Sequence, residues 1–482
     1  MSNKRIIKNY MYNIIYETLI LILPFLTASY ISRVLGVDGI GESDYTASFA
    51  VVFSIVGKLG IDRYGSKHIA YKRDDKEKMT ETFFNIWFLQ VIATSVSTVL
   101  YLIYFLIFGN SLTLLFLLQF PIVLSAFLDI SWFYIGLENF KKIVVRNTII
   151  RVISVILIFT LVKSYDDLNK YILINSLASF FGCITYWISL SKYIGKPNLS
   201  KVNIKLYLKE SLVYLLPQIC IQFYTVVDQI IVGYLTTYAD VGYYSQSLRV
   251  PKMSLAFITS LSTVLMPTIA NLYEKNNIES IGKYLKKSLE ITICIGVFGA
   301  SSMAAVANKF VPVFFGEKFI SITPYMMTIS LIAIIIPIGL VFTNQFIIPT
   351  SKNKEYMIPI FSAAIVSLTL NFILIPFVGI VGAVVTVVLA EVTSTLLKII
   401  LVRKYLDIKM LFKGTYIYFL FGVINFAFVN TSTYFLETNF ISLIISCFLC
   451  FACFGTLMVI FKNPIREELY DIYNRWHSKV SI

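Results

Sequence analysis

The chain reads as an all-α protein that crosses a membrane many times. Two features of its composition predict this. Hydrophobic residues make up 57% of the 482 residues and charged residues only 14%, where a soluble domain carries roughly 25% charged. The apolar residues also fall into runs of about 20, the length at which a helix spans a bilayer. A third observation is the placing of charge: lysine and arginine collect in alternate gaps between the runs, as expected when positive loops stay on the cytoplasmic side.

Cutting the chain at its charged and turn-rich gaps gives about fourteen spans. They cover residues 10–32, 44–61, 82–108, 112–136, 143–163, 171–191, 211–236, 241–272, 288–308, 325–349, 357–376, 381–401, 414–436 and 440–461. The first follows a basic start, "MSNKRIIK", and is interrupted by Glu17 and Pro24. Its apolar run is long and lacks a clear A-x-A-like site, so it reads as a retained span and not a cleaved signal. The loops on the side of the amino terminus and both tails, with the span ends beside them, hold 32 Lys/Arg, against five in the opposite loops and their span ends. Both termini are therefore expected in the cytoplasm, with an even number of spans.

The same observations exclude several functions. A net charge of +14 could suggest nucleic acid, but the basic residues sit in short connections between apolar runs and no soluble scaffold carries them. Cys447, Cys450 and Cys453 lie along one helical stripe without a histidine or fourth thiol nearby, and a structural metal site needs about four ligands. They read as small packing residues. The two histidines, His68 and His477, lie in charged loops, and no catalytic triad, phosphate-binding glycine loop or paired-histidine motif occurs. The longest external connection, "KFVPVFFGEKFISITP", is about 16 residues. No enzyme, no resident cofactor and no metal are expected; the function belongs inside the helical bundle.

Apart from Arg146, Lys163 and Lys398, counted with the loops beside them, four cations remain within spans: Lys58, Arg151, Arg249 and Lys252. Each costs on the order of 2.5–3.5 kcal/mol at a span centre and should face a partner or a watery cavity. Residues equally far from a shared turn lie at matched depth in antiparallel neighbours. This pairs Glu17 with Lys58, Asp129 with Arg151 and Asp228 with Arg249, and leaves Lys252 with no matched acid. Residues 253–272 could span alone with Pro251 at the helix start. We favour a longer helix from Gly242, in which Pro251 lies inside and Gln246, Arg249 and Lys252 share one face. In span seven Gln218, Gln222, Thr225 and Gln229 recur at steps of three and four. They supply either interhelical hydrogen bonds or a wet wall for sugar hydroxyls, with Tyr224 beside them.

Three stretches carry a resemblance. "VVDQIIVGYLTTYADVGYYSQSLRV", "YISRVLGVDGIGESDYTASF" followed by "GIDRYGSKHIAYKRD", and "LNFILIPFVGIVGAVVTVVLAE" resemble, in this order, the span seven-to-eight, one-to-two and eleven-to-twelve turns of Wzx-type oligosaccharide flippases. That family belongs to a superfamily shared with multidrug exporters and lipid II flippases. The resemblance implies two pseudo-symmetric six-helix lobes, residues 1–200 and 201–405, and two additional spans with a cytoplasmic tail in 406–482. It implies alternating access around a cavity between the lobes, in a bacterial cytoplasmic membrane.

The substrate it implies is an undecaprenyl-pyrophosphate-linked oligosaccharide unit moved from the inner to the outer leaflet for capsule or other surface polysaccharide. Membrane lipids and polysaccharide polymerase machinery are the expected partners. Lys252, Arg249, Lys58 and Arg151 are then candidates to attract pyrophosphate, with Gln218, Gln222, Gln229 and Tyr224 facing the sugars. Glu17, Asp129 and Asp228 are candidates for ion pairing or for coupling to Na+ or H+. The rival readings are a lipid II or teichoic-acid precursor flippase, a cation-coupled multidrug exporter, and a membrane-embedded glycan polymerase or ligase. The excess of cations disfavours the exporter, and the short external loops disfavour the enzyme.

Overall fold

With no water in a bilayer core to satisfy backbone N–H and C=O groups, an apolar chain must bond them within helices. The computed structural model, which describes residues 3–108, 111–196, 203–264, 266–275 and 277–467, is helical throughout apart from short turns, with no strand among the described residues. In chain order the helices are α1 (Asn3–Lys58), α2 (Ile61–Lys72), α3 (Lys76–Phe108), α4 (Thr113–Leu128), α5 (Ser131–Gly136), α6 (Phe140–Leu161) and α7 (Leu168–Trp187). There follow α8 (Ile204–Phe223), α9 (Val227–Leu235), α10 (Tyr238–Val264), α11 (Met266–Glu274), α12 (Ile278–Phe314), α13 (Thr323–Ile329) and α14 (Ile332–Phe342). The last are α15 (Asn353–Val378), α16 (Ile380–Val402), α17 (Ile408–Leu411), α18 (Tyr416–Ser432) and α19 (Phe440–Ile460).

Every expected span coincides with a helical stretch, but ten helices among the described residues are long and apolar enough to cross a membrane, or eleven if the bent pair α8 and α9 counts as one. The difference from fourteen has physical causes. Two expected spans run together in α1, which is broken only at Gly36, where φ is 67°. Helix α18 has just 17 residues, and α10 carries Asp240, Arg249 and Lys252 within its 27. The longer reading of span eight holds: α10 begins at Tyr238 and contains Pro251.

The chain divides into two compact units, the boundary falling in sequence between Gly242 and Tyr243. In the first, α1 packs against α3, α4, α6 and α9, α4 against α7, and α2 against α5. Its core gathers Tyr64, Phe83, Trp132, Phe133, Tyr134 and Tyr186. Two of the turn motifs meet here: a Cβ on Gly41 would lie 1.7 Å from the carbonyl oxygen of Tyr238, and one on Gly242 would lie 2.2 Å from that of Val37. Only glycine lets two backbones pass so closely, the packing that membrane helices use where hydrophobicity offers no drive.

In the second unit α12 is central, packed by α13, α14, α18 and α19. Asn425 on α18 donates from Nδ2 to Ser301 Oγ (3.1 Å) and Ser302 Oγ (3.3 Å) of α12. Cys450 is buried against Ala305, Val306 and Val429, the packing role expected for it. Helices α15 and α16 form a tight hairpin turning at Gly379, φ 57°, the connection anticipated from "PFVGIVGA".

Candidate functional site

Two spans of the first unit are broken side by side. Helix α1 ends at Lys58, Leu59 and Gly60 adopt positive φ of 52° and 75°, and α2 restarts at Ile61. Helix α4 ends at Leu128, Asp129 is extended (φ −76°, ψ 94°), and α5 restarts at Ser131. A break frees carbonyls that the helix would otherwise bond, a serious cost inside a membrane.

At α4/α5 each freed carbonyl has a partner from elsewhere. Gln90 Nε2 donates to the carbonyls of Ala126 (2.5 Å) and Asp129 (3.0 Å). Trp87 Nε1 donates to that of Phe127 (3.1 Å) and Trp187 Nε1 to that of Leu128 (2.9 Å). Trp132 Nε1 donates to Gln90 Oε1 (3.0 Å) and fixes the amide.

The breaks bring opposite charges together. Lys58 Nζ lies 2.5 Å from Asp129 Oδ2 and 3.5 Å from Asp62 Oδ2. The other oxygen of Asp129 accepts from the Ser131 N–H at 3.0 Å. Lys58 stands at the C-terminus of α1, which favours a cation, and Asp129, the C-cap of α4, offsets its place at that helix end by accepting from the first N–H of α5. Counted formally, Lys58, Asp62 and Asp129 together carry −1.

Beside this cluster lies a cavity of about 450 Å³ between α4, α6 and α7. Asp129, Arg146, Asn147, Arg151, Asn175 and Ser179 are among its walls. Asn147 and Arg151 are one turn apart on α6, as are Asn175 and Ser179 on α7, so each pair lines one face. Polar side chains on a spanning helix face water or a polar ligand, not hydrocarbon. Arg146 is held in place: Nε donates to the Gly182 carbonyl (2.6 Å), Nη1 donates to Tyr186 Oη (2.8 Å), and the guanidinium lies 4.1 Å from the centre of the Tyr186 ring. Arg151 is exposed at the cavity wall.

The residues singled out in the sequence therefore regroup. Lys58 pairs with Asp129; Glu17, its depth-matched candidate, has a side chain outside the described ones. Asp129 gives one oxygen to Lys58 and the other to the α5 backbone; Arg151, its depth-matched cation, lines the same cavity and is also engaged. The depth argument assumed unbroken helices and consecutive neighbours, whereas α1 packs on α4, two spans away. Lys252 is half-buried and Arg249 likewise; both make polar or electrostatic contacts, so Lys252 is not the isolated charge expected.

Asp228 is buried in α9 and also engaged. The glutamine stripe is interrupted, because α8 ends at Phe223 and α9 restarts at Val227, bent by 43°. Gln229 accepts from Ser48 Oγ of α1 at 2.8 Å, the interhelical role. Gln222 Oε1 is buried without a hydrogen-bond partner. Gln218 is half-buried, and Tyr224 is buried at the break itself. Sequence reasoning missed Asp62, Gln90, Arg146 and the three tryptophans. Their signal was present: three of the chain's four tryptophans donate at or beside one helix break.

Residues 6–273, more than half of the chain, match the family model described as polysaccharide biosynthesis protein. The chain belongs to that family. A relative from Escherichia coli (strain K12), named "Putative O-antigen transporter", is 24% identical over 81% of this chain and 96% of its own length. A protein of the same name from Shigella dysenteriae is 19% identical over 78% and 94%. Among solved structures, lipid II flippase MurJ in an inward closed conformation superposes with a TM-score of 0.72 at 15% identity, covering 93% of this chain and 98% of that one.

An inward-facing multidrug resistance MATE family transporter of the MOP superfamily gives 0.61 at 13% identity, covering 85% and 95%. At these identities the structures establish the fold alone, that of a multi-pass helical membrane protein. The named relatives are transporters and flippases, not enzymes, and the family match bears out the Wzx-type resemblance of the turn motifs.

Proposed function

We propose that the protein is a flippase that carries undecaprenyl-pyrophosphate-linked oligosaccharide repeat units from the inner to the outer leaflet of a bacterial cytoplasmic membrane by alternating access. It serves capsule or another surface polysaccharide, with both termini cytoplasmic on the evidence of the basic loops. The observation that carries this reading is the arginine-bearing polar cavity within apolar spans of a polysaccharide biosynthesis family member.

A pyrophosphate needs cations when it leaves water. Guanidinium groups match its oxygens in bidentate geometry, and a poorly screened space strengthens the attraction. Arg151 takes this role in the first unit, and Arg249 and Lys252, one turn apart on α10, take it in the second. Gln218, Gln222 and Tyr224 supply polar and aromatic surface for sugars. The formal −1 of Lys58, Asp62 and Asp129 would be cancelled by one proton or Na+, and we place a coupling ion there. Glu17 and Asp228 are further coupling candidates.

Proteoliposomes carrying a fluorescent lipid-linked oligosaccharide test the reading. The wild-type protein should expose the labelled glycan to an outside reagent, and Arg151→Gln should slow this at least about tenfold at unchanged protein level, the loss of one charge-assisted contact to phosphate. Absence of glycolipid movement together with efflux of a cationic dye would make it a drug exporter. Equal movement of lipid II would make it a cell-wall precursor flippase.

A further inference from the structure

A second cavity, of about 530 Å³, lies on the other side of Arg146, between α5, α6 and α7. It has no part in the function proposed above. Its walls include Tyr134, Asn139, Lys142, Arg146, Ile149 and Tyr186. Two cations line it and no carboxylate does. Glu138, the nearest acid in sequence, is committed to Arg73 at 2.9 Å. The amide of Asn139 donates to Tyr193 Oη at 3.0 Å, which leaves little side-chain amide surface to read sugars.

Lys142 sits above two aromatic faces, with Nζ 4.6 Å from the centre of Tyr193 and 5.2 Å from that of Tyr134. Such cages hold an ammonium in place through the ring quadrupole while leaving its N–H donors available. Arg146 is oriented by Gly182, Tyr186 and the tyrosine ring beneath it. At 1.5 Å rise per residue, Lys142 and Arg146 are about 6 Å apart along α6, a spacing that suits one headgroup.

The helix continues from these cations as an apolar strip. Val145, Ile149, Ile153 and Ile156 are all exposed, fall on one face at steps of four, four and three, and span roughly 16 Å. That is about half of a 30 Å hydrocarbon core, the depth reached by one acyl chain. Helix α6 is the least covered of the spans, with only 11% of its apolar window buried. A cationic mouth at the basic end of the protein, continuous with an apolar strip of one leaflet's depth, is complementary to an anionic phospholipid.

We infer that the α5–α7 cleft is a binding site for an anionic phospholipid, its phosphate between Lys142 and Arg146 and one acyl chain along the exposed face of α6.

The purified full-length protein in nanodiscs of phosphatidylcholine with graded phosphatidylglycerol tests this, with retained phosphatidylglycerol counted by native mass spectrometry. Lys142→Gln should weaken retention about fivefold, the share of one cation near a membrane surface, and Lys142→Arg should keep it. Asn139→Asp, isosteric and at a helix start that favours its charge, should weaken retention at least as much with unchanged melting. Lys163→Gln at the opposite end of α6 should have no effect. Equal retention by wild type, Lys142→Gln and Asn139→Asp would overturn the inference. So would full displacement by glycerol phosphate, which would leave an anion site without a lipid, or by polyprenyl pyrophosphate, which would assign the cleft to the carrier.

Discussion

The broken spans α4/α5 and α8/α9 solve the same problem in opposite ways. At α4/α5 the four freed carbonyls are met by side chains from α3 and α7, namely Trp87, Gln90 and Trp187. At α8/α9 local turns carry part of the load: the amides of Tyr224, Thr225 and Val226 turn back onto the carbonyls of Ile221 and Gln222, and Thr225 Oγ1 bonds the Ile221 carbonyl. Gln229 accepts a long-range bond from Ser48, and Gln222 Oε1 has no hydrogen-bond partner among the described residues. A break stapled from other helices is a fixture that holds charges in register. One closed in part by its own turns, with the Gln222 oxygen left unpartnered, keeps polar surface for a ligand. The first suits a site of fixed geometry and the second the sugar contact proposed above.

Several substitutions would break or sharpen this contrast. Lys58→Met leaves Asp129 without its counter-charge and should cost about 3–5 kcal/mol, read as a large drop in the melting temperature of the purified protein. Gln90→Leu strips two carbonyls and Trp132 of their partner and should cost about 3 kcal/mol, given 1–3 kcal/mol for each buried polar group left unsatisfied. Trp187→Phe removes one N–H from the Leu128 carbonyl and should cost roughly 1–2 kcal/mol in the same measurement.

Gln222→Leu, at the self-closed break, should change stability by less than about 0.5 kcal/mol, because it deletes an acceptor that has no partner. Glycolipid transport should nonetheless fall if that amide meets sugar. A loss of stability at Gln222 comparable to that at Gln90 would erase the distinction between the two breaks.

The sequence made the helical spans legible because a bilayer leaves an apolar run few alternatives. It also marked Gly36, Gly41, Gly242 and Gly379, since tight turns and close backbone crossings admit little else. The α4/α5 break was hidden. Neither Gly nor Pro stands at Asp129 or Ile130, and two of the tryptophans that stabilise it, Trp87 and Trp187, lie 40 or more residues away in sequence. Asp129 itself was visible as a charge in an apolar run. Its partner was not, because matched depth identifies candidates only between helices that touch, and spans two and four touch without being consecutive.

The glutamine periodicity was read as one continuous stripe. Pro217 lies inside α8, and the chain bends after Phe223, so the four residues divide between two helices of different direction. Arg146 was passed over because it falls near the basic end of its span, where arginines are ordinary; its role depends on Gly182 and Tyr186 across α7.

The claim that Lys58 and Asp129 belong to each other, joined across two helix breaks, is tested most directly by a double-mutant cycle. Melting of the wild type, Lys58→Met, Asp129→Asn and the double variant gives their coupling energy. Removing both charges together should recover most of the loss caused by Lys58→Met alone, a coupling of about 3 kcal/mol. Strictly additive losses would contradict the pair.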